Sequence, residues 1–190
     1  MNTQTVLPNG KVFDFANPDY SLVELEDIAT SLSYTNRFNG YFGNYNVAQH
    51  SVLVSEMVDS TLALPALFHD AAEYLIGDIV TPFKRAIERA GGHIKDQEYD
   101  LLYGIFCQLD IPWPSTLEWE QIYQVDKRMY LTEVQFLTPA HIRDLPIWAE
   151  CLDEPLEPYH VSTIGHIWNS GSAGNVFVNE AERLLHGGKI

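Results

Sequence analysis

His69 and Asp70 stand side by side, and Glu73 follows three residues after the aspartate. On a helix, neighbouring side chains project about 100° apart, so one ion lying between the two directions is within reach of both. Glu73, four residues from His69 and three from Asp70, shares that face. Imidazole and carboxylate oxygen are donors suited to Mn, Fe, Co, Zn or Ni, and the small Ala71 and Ala72 leave room for another helix to approach. Such dipeptides are common, and this one alone is a weak signal. Two distant positions strengthen it. His50 falls on a stripe with Val47, Ser51, Val54, Met57 and Val58, and Asp126 falls on one with Ile122, Val125, Met129, Tyr130 and Glu133. A single core-facing His is usually a hydrogen-bonded structural residue, and a single core-facing Asp usually pairs with an Arg or a helix N-terminus. Four such residues call for a common cause. A divalent cation supplies one, because it offsets the burial of two carboxylates. The expected ligands are His50, His69, Asp70 and Asp126.

The elements that must position these residues are mostly helical. Ser21 and Glu24 form a capping-box pattern ahead of Leu25, Ile28 and Leu32, which predicts a helix over 21–33. Residues 34–46, rich in Asn, Gly and aromatics, read as a loop, and helical periodicity returns at Val47. Pro65 and Gly77 bracket a helix over 65–76 that carries His69, Asp70 and Glu73. Further helices are expected over 81–89 and 93–109. Another, over 115–137, is opened by a capping box of Ser115 and Glu118, and a last one lies near 179–185. At the start, Thr5-Val6-Leu7 and Val12-Phe13 flank Pro8-Asn9-Gly10-Lys11, a hairpin signal. The expectation is an all-α domain over residues 1–190 with a small N-terminal β-hairpin, its site built from facing helices.

Composition narrows the partners. Eleven Lys and Arg against 26 Asp and Glu give a net charge of −15, the reverse of a surface that binds a polymeric nucleic acid backbone. A small phosphorylated ligand stays compatible, since a metal and two or three cations make one cleft locally positive. Cys107 and Cys151 form no CxxC and are too few for a disulfide framework, and no signal peptide or long apolar run is present. A soluble cytoplasmic protein without a membrane partner is expected.

The run His69-Asp70-Ala71-Ala72-Glu73-Tyr74-Leu75-Ile76-Gly77-Asp78-Ile79-Val80-Thr81-Pro82-Phe83-Lys84 resembles the HD-domain phosphohydrolases when it is taken together with His50 before it and Asp126 after it. Arg37-Phe38-Asn39-Gly40 and Val47-Ala48-Gln49-His50-Ser51 narrow the resemblance to the branch of YfbR-type 5′-deoxynucleotidases and phage dATP triphosphohydrolases. It covers about residues 20–137. An HD-domain helical bundle is implied, as are a homo-oligomer and a bacterial or phage-infected host cytoplasm.

The resemblance also implies roles. His50, His69, Asp70 and Asp126 would hold one divalent transition metal (Mn, Co, Zn, Fe or Ni), with Mg joining the substrate phosphates. Glu73 would orient or deprotonate the attacking water, Asp78 would serve as general acid or proton relay, and Arg37 and Lys84 would hold phosphate oxygens. Four ligands on a six-coordinate ion leave two positions, one for water and one for a phosphoryl oxygen. Taken singly, Glu73, Asp78, Arg37 and Lys84 are residue types that usually face solvent. Of the aromatics near Arg37, namely Phe38, Tyr41, Phe42 and Tyr45, Phe38 is the base-contact candidate. His93, His141, His160, His166 and His186 read as structural or exposed. The expected activity is hydrolysis at the 5′ phosphoester of a nucleotide, with dATP triphosphohydrolase first and deoxynucleoside 5′-monophosphatase second. A non-catalytic metal-bound nucleotide sensor is the rival from another class.

Overall fold

The computed structural model describes residues 2–150 and 155–187, so Cys151 lies outside the described residues. Gln4–Val6 (β1) pairs antiparallel with Val12–Asp14 (β2) in the register Thr5 to Phe13. Gly10 closes the connection at φ 80°, a conformation that only glycine adopts without steric cost, and Lys11 N donates to Asn9 Oδ1 at 3.0 Å. Phe13 is fully buried and meets Tyr20 edge to face at 5.9 Å, which anchors the expected hairpin to the helical body.

The helices follow as Leu25–Tyr34 (α1), Val47–Met57 (α2), Ala63–Leu67 (α3), Glu73–Ile76 (α4), Thr81–Arg89 (α5), Ile94–Gln108 (α6), Thr116–Leu137 (α7), Ala140–Arg143 (α8), Ile147–Glu150 (α9) and Ser170–Leu185 (α10). The α-rich fold with a small hairpin is as expected, but some helix bounds differ. α1 starts at Leu25 because Asp19 takes both the backbone N–H and the hydroxyl of Ser21, while Glu24 pairs with Lys11 at 2.6 Å. Both partners of the expected capping box are therefore committed elsewhere. At α7 the box does form, with Ser115 and Glu118 satisfying each other's orphan groups.

α2 carries more than a stripe. Every residue from Val47 to Ser55 is buried, so α2 is the central helix of the described structure. Its N-cap Asn46 accepts from Gln49 N at 2.9 Å, and Gln49 binds the chain near the last helix through His166 O and Trp168 N. α10 begins at Ser170, nine residues before the expected start. Its Gly and Ser residues weaken the local signal, yet Ala173, Phe177 and Ala181 are fully buried at intervals of four and join the same core as α1 and α2. A second apolar cluster, with Leu53, Val54, Ala66, Ile122 and Met129, lies between α2, α3 and α7. The site residues of α2 and α7 emerge beside it. Among the described residues no helix is long and apolar enough to cross a membrane.

Candidate metal centre

The expected helix over 65–76 is interrupted where the chemistry lies. α3 ends at Leu67, α4 starts at Glu73, and the backbone between them is held by bonds three residues apart, Ala71 N to Phe68 O at 2.9 Å and Glu73 N to Asp70 O at 3.0 Å. A local cause is visible. The Nδ1–H of His69 donates to Ala66 O at 2.8 Å, and that carbonyl is the acceptor Asp70 N would need in a continuous α-helix. His69 and Asp70 therefore sit on a tightened turn rather than on a regular helix.

Three segments bring four acceptor atoms together. His50 Nε2 lies 3.3 Å from His69 Nε2, 3.1 Å from Asp126 Oδ1 and 3.6 Å from Asp70 Oδ2. His69 Nε2 lies 3.3 Å from Asp70 Oδ2 and 3.8 Å from Asp126 Oδ1. His50, His69 and Asp126 form a group whose ligand atoms all fall within 4.8 Å of one another, and Asp70 flanks that group. Donors spaced about 2.0–2.2 Å from a common ion stand roughly 3.0–3.5 Å apart in octahedral or tetrahedral arrangements. The observed separations are at or slightly above this.

The tautomers decide what this geometry means. His50 Nδ1 donates to Glu133 Oε1 at 2.5 Å and His69 Nδ1 donates to the Ala66 carbonyl, and neither acceptor can return a proton from an ionised carboxylate or a peptide oxygen. In the neutral imidazoles both Nε2 lone pairs consequently face each other and two carboxylates. A shared cation makes that arrangement favourable, and in its absence a proton on Nε2 does the same by bonding to the carboxylates. The donor set fits a divalent transition metal, and the outward N–H bonds are the kind of support that fixes a ligating imidazole. The electrostatics agree. Burial opposes charge on His69, yet Asp70 and Asp126 raise its affinity for a proton well above the ordinary value. His50 is raised too, with burial and Arg37 opposing and Glu133 and Asp126 prevailing. Burial works against ionisation of Asp126, but its hydrogen bonds to His50 and His69 carry it well below the usual carboxylate range.

Glu133 is the functional residue that the sequence reading passed over. It is fully buried, and besides His50 it accepts from Arg37 Nε at 3.2 Å and Nη2 at 3.1 Å. The signal was its place seven residues after Asp126 on the same stripe, two turns along α7. Arg37 is oriented from the other side by an isolated bridge between Asn36 and Asn46, with Arg37 N donating to Tyr45 O at 2.9 Å. With Nε and Nη2 on Glu133, the guanidinium turns Nη1 toward the cluster, 3.6 Å from Asp70 Oδ2.

The remaining expected residues are near but differently engaged. Glu73 is buried, its Oε2 has no hydrogen-bond partner, and burial together with the Asp70 and Asp78 carboxylates pushes its pKa well up. Asp78 is raised as well, by burial first and by Asp70, against the opposing charge of Arg37. Lys84 Nζ is paired with Glu98 Oε1 of α6 at 2.7 Å. Phe38 and Asn39 adopt left-handed backbone at φ 55° and 54°, and the Phe38 ring stacks on Tyr130 at 5.7 Å with Phe42 and Trp148 against its edges. That cluster holds in place a conformation costing roughly 1–3 kcal/mol. Tyr45 is buried and Tyr41 exposed, and the five other histidines are all exposed, as expected.

No protein-family model matches the chain. It is 36% identical over 99 residues to an uncharacterized protein of Rhodobacter capsulatus, a match covering 47% of this chain and 50% of that protein. It is 41% identical over 80 residues to the uncharacterized protein YfdR of Escherichia coli, covering 42% and 45% respectively. The chain spans about half the length of these curated relatives.

Proposed function

We propose that the protein is a metal-dependent phosphohydrolase of the HD type that acts on nucleotides at the 5′ phosphoester. One observation carries this: the Nε2 atoms of His50 and His69, 3.3 Å apart, converge with Asp126 and Asp70 while each ring's Nδ1 is bonded elsewhere, to Glu133 and to the Ala66 carbonyl. His50, His69, Asp70 and Asp126 would hold the ion. A bound divalent ion supplies Lewis acidity and lowers the pKa of a water.

The chain's own groups then divide the work. Glu73, whose buried Oε2 has no hydrogen-bond partner among the described residues, takes the proton of the attacking water. Asp78, whose proton affinity is raised by burial first and by Asp70 against the charge of Arg37, gives a proton to the departing 5′ oxygen. Arg37 presents Nη1 to a phosphate oxygen while Glu133 keeps its other donors. Two carboxyl groups with raised proton affinity are the feature a pure nucleotide sensor would not need.

Two substrate levels share this chemistry. A triphosphate such as dATP would yield deoxyadenosine and tripolyphosphate, and Lys84 could serve its distal phosphates only by leaving Glu98. The pairing of Lys84 with Glu98 therefore favours the deoxynucleoside monophosphate, which asks for fewer cations. The test is to incubate the protein with each nucleotide at mono-, di- and triphosphate level in Mn, Co, Mg or Zn and to chromatograph the products. Release of nucleoside supports attack at the α-phosphorus. Release of dADP and phosphate from dATP, or no turnover with any metal, overturns the reading.

A further inference from the structure

Phe38 is enclosed by aromatic neighbours of its own chain, which leaves open the question of what meets the base. Tyr123 lies three residues before Asp126 on α7, hence one turn away on the same helix face, with about 5–6 Å between such Cβ atoms. One face of its ring stacks on Trp119, 5.4 Å between centroids and 18° between planes. Trp119 is itself braced edge-on by Trp113 at 5.1 Å. Yet Tyr123 remains 43% exposed, so the solvent contact belongs to its remaining face and edge. A large ring that is rigidly backed on one side and open on the other, one turn from a metal ligand, is a stacking platform.

We propose that Tyr123 is the base-stacking residue of this site, its open face taking the aromatic ring of a nucleotide whose phosphate lies at His50, His69 and Asp126, a role that rests on the nucleotide reading above. Burial first, then the Asp70, Asp126 and Glu98 carboxylates, push the pKa of the Tyr123 hydroxyl up to about 12. It stays a neutral donor at physiological pH, able to serve a ring nitrogen or carbonyl of the base or a sugar oxygen. Glu98, one of the carboxylates that act on that hydroxyl, is paired with Lys84. Stacking recognises any base by its π-face, so Tyr123 distinguishes nucleotides from sugar phosphates more than one base from another.

The experiment compares dAMP with 2-deoxyribose 5-phosphate, which keeps the phosphate and sugar and lacks the base. Binding is measured by calorimetry in a Glu73→Gln background, so that ligand is not consumed, and turnover is measured in the otherwise native protein. Tyr123→Ala should weaken dAMP binding roughly five- to a hundredfold more than sugar phosphate binding, the range for loss of one stacked base. It should raise KM for dAMP with a much smaller change in kcat. Tyr123→Phe should restore most of the preference, which a purely structural role of the hydroxyl would not allow. Equal losses on both ligands, or a base-dependent loss in Phe38→Leu with none in Tyr123→Ala, would overturn the assignment. If the native protein hydrolysed no nucleotide, the activity would fall while the binding comparison still decided the role of Tyr123 by itself.

Discussion

Glu133→Gln tests the architecture of the centre more sharply than removal of any ligand. Glu133 is fully buried and accepts three hydrogen bonds, one from His50 Nδ1 and two from Arg37. Glutamine has nearly the same shape but one acceptor oxygen and one donor group. If its oxygen faces His50, its NH₂ meets the Nε and Nη2 donors of Arg37. If its oxygen faces Arg37, its NH₂ meets His50, whose proton must then move to Nε2, where it blocks the position a metal needs. Neither orientation satisfies both partners. Loss of a charge-assisted hydrogen bond costs about 1.5–3 kcal/mol, and uncompensating a buried charge costs about 3–5 kcal/mol. Arg37 keeps Asp70 at 3.6 Å as an alternative partner, which places the stability loss at the lower end. Metal affinity should fall about 10- to 100-fold, as for other supports of a ligating histidine. Competition with a chromophoric chelator measures the metal affinity, and urea unfolding of the metal-free protein measures the stability loss. A Glu133→Gln protein with native metal affinity would refute the tautomer argument, whatever its stability.

His69→Ala and Asp70→Ala should each abolish bound metal, measured by elemental analysis, together with activity. An Asp70→Ala protein with stoichiometric metal and full turnover would remove Asp70 from the ligand set. Glu73→Gln should keep the metal and the fold but lose about 10²–10⁴-fold in kcat. Metal loss in that variant would make Glu73 a ligand instead. Lys84→Ala should weaken dATP hydrolysis about ten- to a hundredfold more than dAMP hydrolysis if Lys84 leaves Glu98 for distal phosphates, whereas Arg37→Ala should harm both alike. Equal losses on the two substrates in Lys84→Ala would confine Lys84 to its pair with Glu98. Asp27 is buried with Oδ2 unpartnered, and burial followed by the Glu24 charge raises its pKa above the ordinary 3.8. Its folded value therefore exceeds its unfolded value, and the penalty grows as pH rises through the folded value. Asp27→Asn should be more stable than the native chain at neutral pH, a gain that vanishes on acidification below about pH 4; urea midpoints at both pH values check it, and a gap that widened in acid would contradict it.

Local signals in the sequence were sufficient where the forces are local. The Asn9-Gly10 turn, the Ser115 and Glu118 capping box, and the bounds of α5, α6 and α7 follow from residues within a few positions of one another. The residue types and order of His50, His69, Asp70 and Asp126 were legible for a related reason, since polar groups on otherwise apolar stripes need a shared partner. Tertiary contacts decided the rest. The Ser21 and Glu24 pattern failed because Lys11, brought over by the hairpin, claims Glu24, and the weak helical signal of α10 was overridden because Phe177 and its alanine neighbours find α1 to pack against. The helix over 65–76 broke because a ring nitrogen of His69 competes for a backbone carbonyl. No spacing rule states that Glu133 would join His50 to Arg37 across 83 and 96 residues, or that Lys84 would already be neutralised by Glu98. Which side chains can chelate is a property of residue type and period. Which lone pairs meet, and which charges are already spent on each other, depends on how distant segments approach, and that is set only when the core closes.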